Sequence, residues 1–158
     1  MTSLRHATDA DAPALAALIA TTFAEYPGCL FIGAEFPELK APASHYQRAG
    51  GQLFVAESYG EVIGSLAAVM TDVPGTGELF KVYASAAHRG SGLAQRLYAE
   101  GESFLKERGA REIILWSDTR FLRGHRFYEK LGFVRQPVER YLADASASWE
   151  YFFRKPLA

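Results

Sequence analysis

A glycine-containing loop between a predicted strand and a predicted helix constrains this chain more than any other feature. Residues 78–84 alternate as a strand does, and Arg89-Gly90-Ser91-Gly92 then precedes a segment with apolar residues at helical spacing up to Gly109. A strand of the buried type, 112–117, follows. Because two neighbouring strands joined through a helix run parallel, the chain should contain at least one parallel crossover.

The remaining segments predict a mostly antiparallel sheet around that crossover. Strands at 52–58 and 61–72 flank Tyr59-Gly60, a two-residue turn typical of a β-hairpin, and Pro74-Gly75-Thr76-Gly77 forms the next turn. Further strands are predicted at 4–8, 133–135, 140–143 and 149–154, and further helices at 11–24, 44–49 and 124–131. We therefore expect an α/β (α+β) fold in which about four helices flank a mixed sheet of six to seven strands, as a single domain over residues 1–158.

Composition argues against several classes of function. Seventeen Lys and Arg residues against 18 Asp and Glu leave a net charge of −1, which gives no reason to expect nucleic acid or a membrane as a partner. The single cysteine, Cys29, excludes an intrachain disulfide, and the histidines lack metal-ligand spacing, so no metal is expected. No signal peptide or membrane-spanning segment is recognisable, so we expect a cytoplasmic location.

The loop at residues 89–94 has the chemistry of a phosphate-binding site. Its glycines let the backbone approach an oxyanion, the first N–H groups of the helix point outward, and Arg89 adds a charged donor. Two common motifs do not fit, however. A P-loop requires Lys-Ser/Thr where Leu93-Ala94 stands, and a Rossmann fingerprint requires a small residue where Gln95 stands.

Arg89-x-x-Gly92-x-Ala94 instead resembles the pyrophosphate loop of the GNAT superfamily of N-acetyltransferases. Val82-Tyr83-Ala84 stands where that family has the strand beside pantetheine, and residues 127–133 resemble its C-terminal Tyr-x-x-x-Gly-Phe segment. Residues 5–11 are similar to a common start of the family. The resemblance covers nearly the whole chain and is strongest over residues 78–133.

The resemblance implies direct transfer of an acetyl group from acetyl-CoA, the co-substrate, to a primary amine, which we expect to belong to a small molecule. A backbone N–H at Val82 or its neighbour would polarise the thioester carbonyl. The residues expected to bind the co-substrate are Val82, Tyr83, Ala84, Arg89, Gly90, Ser91, Gly92, Leu93 and Ala94. An acyl-CoA-binding sensor or interaction module without turnover, an acetyltransferase of protein lysines or N-termini, and a homodimer remain open.

Two residues are candidates for proton transfer. Tyr128 matches the family's acid for the leaving thiolate, which suits a phenol with a pKa of ~10, although the spacing alone also fits a core aromatic. Glu78 stands four residues before Val82, where histone-type members have a catalytic Glu, and alternation places it on one sheet face with Phe80 and Val82. Water chains replace this base in many members, and Glu78 would then only attract a cationic amine.

Other positions bear on the acceptor and the co-substrate. Phe121 stands where many members have an Asn that contacts pantetheine, and Asp118, Thr119 or His125 could replace that contact. Residues 25–50 are expected either to shape the acceptor site or to cover the core, and residues 146–151 to shape that site or a dimer contact. Its acids should favour a cationic amine, and the candidates are Glu25, Glu35, Glu38, Asp72 and Glu78. Trp116 and Trp149 are expected in the core, and Cys29 is not expected to carry the acetyl group.

Overall fold

A seven-stranded sheet forms the centre of the computed structural model, which describes all 158 residues. The strands are β1 (Thr2–His6), β2 (Gly51–Ser58), β3 (Glu61–Met70), β4 (Thr76–Ala84), β5 (Glu112–Asp118), β6 (Val134–Tyr141) and β7 (Trp149–Pro156). The α-helices are α1 (Ala12–Phe23), α2 (Pro42–Arg48), α3 (Leu93–Glu107) and α4 (Leu122–Leu131). The strand order is β1-β2-β3-β4-β5-β7-β6, with only β4 and β5 parallel. The predicted mixed sheet with one parallel crossover and four helices is confirmed.

Two apolar layers cover the two faces of the sheet. One contains Leu97 and Leu105 of α3 and Tyr128 of α4, and the other contains Leu15 and Ile19 of α1 with neighbours from α2. Full burial of a side chain of this size contributes about 1.5–3 kcal/mol. The helices therefore pack in two pairs, α3 and α4 on one face and α1 and α2 on the other. None of the helices combines the length and the apolar character needed to cross a bilayer.

Glycines let α3 pack closely on the sheet. A Cβ atom at Gly101 of α3 would lie 2.6 Å from Leu66 Cδ2, and one at Gly77 of β4 would lie 2.7 Å from both Cδ atoms of Leu105. Such distances are too short for a real side chain, so larger residues would push the helix away. The close packing fixes the position of α3 on the sheet.

A capping box fixes the short 3-10 turn Asp9–Asp11 that leads into α1. The Thr8 N–H donates to Asp11 Oδ2 at 2.8 Å, and the Arg5 guanidinium donates to both oxygens of Asp11 at 2.9 Å. The bond from Arg5 is the main reason that the pKa of Asp11 is lowered. These bonds join α1 to strand β1.

The two parallel strands separate after a short paired stretch. Only residues 76–78 of β4 pair with 112–114 of β5, and neither strand pairs with the other beyond Glu78. Unpaired strand edges normally require a partner. The sheet is therefore open between the second halves of β4 and β5, and the candidate site lies at this opening.

Three local predictions are wrong. Gly77 belongs to β4 rather than to the preceding turn, because its missing side chain makes room for Leu105. The predicted strands 133–135 and 140–143 are one strand, β6, whose register shifts between Arg135 and Glu139. Trp149 is 48% exposed and packs on Tyr141 rather than in the core.

Candidate active site

A β-bulge in β4 decides which side chains face which side of the opening. Ser65 pairs with Tyr83 and Ala67 with Phe80, so β4 has one extra residue between these pairs, and Lys81 has a φ of 53°. Phe80 and Tyr83 pack with the α1–α2 layer, whereas Val82 packs with the α3–α4 layer. The prediction that Val82 shares a face with Phe80 is therefore wrong, because the bulge resets the alternation.

A cleft of about 620 Å³ lies between the glycine loop, β4 and α4, and we call it the glycine-loop cleft. Gly90 and Gly92 both have positive φ, of 77° and 81°, which glycine adopts without strain. At the loop and the start of α3, five backbone N–H groups donate to no backbone carbonyl: those of Gly90, Gly92, Leu93, Ala94 and Gln95. Orphan N–H groups at a helix N-terminus form a ready anion site.

Most residues predicted to bind the co-substrate line this cleft. They are Val82, Tyr83, Ala84, Arg89, Gly90, Gly92, Leu93 and Ala94. Ser91 does not line it, and its hydroxyl donates to the His88 carbonyl at 2.6 Å. The cleft thus brings together the strand and loop segments that the sequence analysis singled out separately.

Basic side chains surround the glycine-loop cleft. Arg123, Arg126 and Lys130 of α4 line it opposite Arg89 of the loop. Glu25 interacts with two of these cations: Arg89 Nη2 lies 2.5 and 2.7 Å from its two oxygens, and Arg123 Nη1 lies 3.5 Å from Oε1. Glu25 lines neither this cleft nor the acceptor side but pairs with cations of the cleft, so the prediction that it lies on the acceptor side is wrong.

A second, smaller cavity of about 180 Å³ lies on the α1–α2 side of the opening, and we call it the inner cavity. Glu78, Phe80 and Trp116 line it from the sheet. Segments 29–36 and 142–148 line it from outside the sheet. These two segments are joined directly, since the Leu30 N–H donates to Ser146 Oγ at 2.8 Å and the Ala145 N–H donates to Glu35 Oε2 at 2.8 Å.

The charged side chains of the inner cavity are mainly acidic. They are the carboxylates of Glu35, Glu78, Asp118, Asp144 and Glu150 and the cations of Lys81 and Arg140, which leaves a formal charge of −3. Lys81 Nζ is paired with Glu38 at 2.7 Å, and Arg140 Nε with Glu150 at 2.7 Å. The cavity therefore favours a positively charged ligand.

Glu78 is the carboxylate of this set without a bonding partner. It is half-buried, and burial raises its pKa, opposed by the charge of Arg140 and helped by that of Glu150. Of the acids predicted on the acceptor side, Glu35 and Glu78 line the inner cavity and Glu38 neutralises Lys81. Asp72 lies exposed in the turn before β4, so that prediction is wrong.

Sequence reasoning did not identify Arg140 of β6 or Asp144 of the loop between β6 and β7, and it included Glu150 of β7 only within the segment 146–151. Arg140 lies over the Trp116 ring at 4.2 Å from its centroid, and Glu150 and Asp144 complete the wall. Of the predicted segment 146–151, Ser146, Ser148 and Glu150 line the cavity. Arg140 reaches the cavity because β6 pairs antiparallel with β7, which places Arg140 opposite Glu150. That pairing is a feature of the fold and has no local signal in the sequence.

The two cavities meet at the opening in the sheet. Five residues line both of them: Val82, Tyr83, Ser117, Phe121 and Tyr128. Tyr128 is a buried residue whose hydroxyl makes no hydrogen bond within the protein, and burial raises its pKa. At neutral pH it is therefore protonated and available as a donor.

Phe121 lines both cavities, where the resembled family often has Asn. None of the three residues proposed to replace that Asn lines the glycine-loop cleft. Asp118 lines the inner cavity, the Thr119 N–H donates to the Trp149 carbonyl, and His125 Nε2 lies 2.9 Å from the Asp118 carbonyl oxygen. The position is apolar, and Phe121 packs against Tyr26 and Phe23.

Cys29 and the histidines do not form a reactive or metal-binding group. Cys29 is buried and free, and burial raises the pKa of its thiol. A raised pKa keeps the thiol protonated and weakly nucleophilic. No group of three or more His, Cys, Asp or Glu side chains is arranged to hold a metal ion.

Comparison with known proteins gives curated relatives over part of the chain. A rat protein, N-acetyltransferase family 8 member 2, is 32% identical over 94 residues, which cover 57% of this chain and 42% of that protein. Mycothiol acetyltransferase of Streptosporangium roseum is 38% identical over 63 residues, covering 40% of this chain and 19% of that protein. The matched regions thus span less than half of these relatives.

Solved structures share the fold over the whole chain. An acetyltransferase of the GNAT family from Staphylococcus aureus has a TM-score of 0.85 at 17% identity, with 100% of both chains covered. A ribosomal-protein-alanine N-acetyltransferase from Brucella melitensis has a TM-score of 0.75 at 22% identity, covering 98% of this chain and 99% of that one. The sequence itself matches the Acetyltransferase (GNAT) family over residues 16–133. The chain therefore belongs to the GNAT acetyltransferase family, and it has the fold of that family.

Proposed function

We propose that the protein transfers an acetyl group directly from acetyl-CoA to the primary amine of a small cationic molecule. The observation that carries the proposal is the meeting of two chemically different cavities at one opening in the sheet. The glycine-loop cleft is lined by unpaired N–H groups and cations, and the inner cavity by carboxylates. A polyanionic donor and a cationic acceptor would each find the complementary charge and meet at Tyr128.

The residues of the glycine-loop cleft fit acetyl-CoA. The N–H groups of Gly90, Gly92 and Leu93 would hold the pyrophosphate, and Arg89 would add a charge-assisted bond. Val82 and Ala84, on the edge of β4 that β5 leaves free, would lie along the pantetheine chain, with the Val82 N–H directed at the thioester carbonyl. Bound there, acetyl-CoA supplies an activated acyl group.

Size and charge of the inner cavity support a small acceptor. Its volume of about 180 Å³ is below the roughly 300–1,000 Å³ of pockets for drug-sized ligands. The hydrogen-bonded segments 29–36 and 142–148 narrow the space that a lysine on a folded protein would need. The free thiol of Cys29 also suits the reducing cytoplasm, where the protein would find its acetyl-CoA.

Two residues would handle the protons of the reaction. The acceptor nitrogen loses one proton before it attacks, and we assign this proton to the Glu78 carboxylate. As the new C–N bond forms and the C–S bond breaks, Tyr128 donates its proton to the leaving sulfur. The second proton lost by the nitrogen restores the Tyr128 phenol, and the proton on Glu78 passes to solvent, so the protein ends unchanged.

The test measures thiol release from acetyl-CoA with three four-carbon amines: 1,4-diaminobutane, n-butylamine and 4-aminobutanoate. These amines differ in the charge remote from the reacting amine, which is positive, absent or negative. Because the inner cavity is acidic, we expect kcat/KM to fall in that order. Tyr128→Phe should lower kcat by about 100-fold or more, whereas Tyr46→Phe, a buried phenol outside both cavities, should not change it.

The result that would overturn the proposal is specific. If acetyl-CoA raises the melting temperature but neither the three amines nor a peptide with a free N-terminus and a lysine supports thiol release, the protein is a binding module rather than an enzyme. A preference for 4-aminobutanoate would overturn the charge argument alone.

A further inference from the structure

Three of the five residues shared by the two cavities have hydroxyl groups: Tyr83, Ser117 and Tyr128. The role of Tyr128 was predicted, and Ser117 is the residue before the last one of β5. Tyr83 was predicted only as part of the strand beside pantetheine. Tyr83 is half-buried, and its hydroxyl makes no hydrogen bond within the protein, so it is free to bond a ligand at the opening.

Tyr83 and Tyr128 approach the opening from opposite faces of the sheet. Tyr128 belongs to the α3–α4 layer, where it packs on Phe133 and Phe153. Tyr83 packs with the α1–α2 layer, and its ring lies 6.2 Å from that of Phe23 between centroids. The inner cavity, with Glu78 and Phe80, lies on the same face as Tyr83.

The bulge at Lys81 produces this arrangement. Simple alternation from Phe80 would place Val82 on the face of the inner cavity and turn Tyr83 to the other face. The extra residue reverses both orientations. The backbone thus directs a phenol, rather than a valine, toward the space through which an acceptor must pass.

We infer that the Tyr83 hydroxyl is a catalytic contact of the acceptor, binding the attacking nitrogen while Tyr128 serves the leaving sulfur. The phenol oxygen accepts a hydrogen bond from an N–H of the amine and so directs the nitrogen lone pair at the acyl carbon. The inference rests on the proposed function. It gives the site two phenols, one on each side of the reacting carbon. Burial raises the pKa of both, so both are protonated at neutral pH.

The experiment compares Tyr83→Phe with wild type and with Tyr46→Phe, which removes another phenol without a hydrogen-bond partner from outside both cavities. Thiol release is followed with 1,4-diaminobutane as the acceptor. We expect kcat/KM for the amine to fall about tenfold in Tyr83→Phe, the effect of one lost hydrogen bond, while KM for acetyl-CoA stays unchanged. Tyr46→Phe should match wild type in both constants, and all three should show the same circular dichroism.

A second measurement does not depend on turnover. The CoA-loaded protein is titrated with 1,4-diaminobutane in a calorimeter, and Tyr83→Phe should weaken binding of the amine about fivefold or more. Equal amine affinity together with equal kcat/KM would overturn the role of Tyr83. A wild type that binds the amine through Tyr83 but releases no thiol would overturn the proposed function and leave this contact in place. If Tyr83→Phe raises only the KM for acetyl-CoA, then Tyr83 contacts the co-substrate rather than the acceptor, and the inference is overturned.

Discussion

Glu25 occupies the cations that the co-substrate would need, and its removal should therefore strengthen acetyl-CoA binding. Its carboxylate lies within 2.7 Å of Arg89 Nη2 through both oxygens and 3.5 Å from Arg123 Nη1. The pyrophosphate would compete with this carboxylate for Arg89. Glu25→Gln keeps the size of the side chain and removes the charge.

The magnitude follows from the exposure of the pair. The side chains of Arg89 and Glu25 are 32% and 27% exposed, so solvent screens their attraction and the pair contributes about 0.5–1 kcal/mol. Release of that energy to the bound state lowers the Kd for acetyl-CoA about two- to fivefold. The gain should shrink at high salt, because screening weakens the competing ion pair and the new phosphate contact alike.

Isothermal titration calorimetry with acetyl-CoA at low and high salt measures this effect. Glu57→Gln is the matched control, since Glu57 pairs with Arg5 at 3.2 Å, has a similar exposure of 33%, and lies outside both cavities. Glu57→Gln should leave the Kd unchanged. Weaker binding in Glu25→Gln would refute the reasoning, because it would mean that Glu25 holds Arg89 in place for the co-substrate instead of competing for it.

Three further perturbations test other parts of the structure. Glu78→Gln should lower kcat and yet raise the melting temperature at pH 7. Burial raises the pKa of Glu78 in the folded protein, so the stability that the protonated carboxyl contributes is lost as pH rises through that pKa. The gain in melting temperature should therefore vanish in acid. Gly92→Glu should abolish acetyl-CoA binding in calorimetry by placing a carboxylate at the loop, whereas Gly109→Glu, at a φ of 88° beyond the far end of α3, should bind normally. Asp11→Asn should lower the free energy of unfolding by about 1 kcal/mol in urea titrations at pH 7, because the bond from Arg5 lowers the pKa of Asp11. The difference between the variant and wild type should disappear as pH falls through that lowered pKa. An equal loss of stability at acidic pH would contradict the prediction.

The order of elements could be predicted because local signals mark it. Tyr59-Gly60 defines a hairpin, and Gly109 follows α3 and Gly132 follows α4 with positive φ, as helix C-termini favour. Gly77 could not be placed, because nothing local distinguishes a turn glycine from one that accommodates Leu105 from a distant helix. Trp149 could not be placed either, because nothing local shows that this end of β7 is left uncovered, where Trp149 packs on Tyr141 of the edge strand β6 and stays 48% exposed.

The candidate site divides in the same way. The glycine loop could be found from sequence because its residues are consecutive and each has a local reason to be there. The inner cavity could be predicted only in part: Glu78 and the segment 146–151 were expected on the acceptor side, whereas Arg140 was not. These residues come from three strands, β4, β6 and β7, whose order in the sheet differs from their order in the chain. The orientation of Tyr83 depended on a bulge with a non-glycine residue, Lys81, at positive φ, for which the sequence has no signal.

The two sides of the inner cavity differ in how they are attached to the rest of the protein. One side is formed by the sheet, which also lines the glycine-loop cleft. The other side is formed by the segments 29–36 and 142–148, which are joined to each other by hydrogen bonds to the side chains of Ser146 and Glu35. These loops contribute no residue to the glycine-loop cleft. A new acceptor range could therefore be engineered by grafting this pair of loops together, with the donor half left intact. Exchange of one loop alone would break the bonds that hold the other.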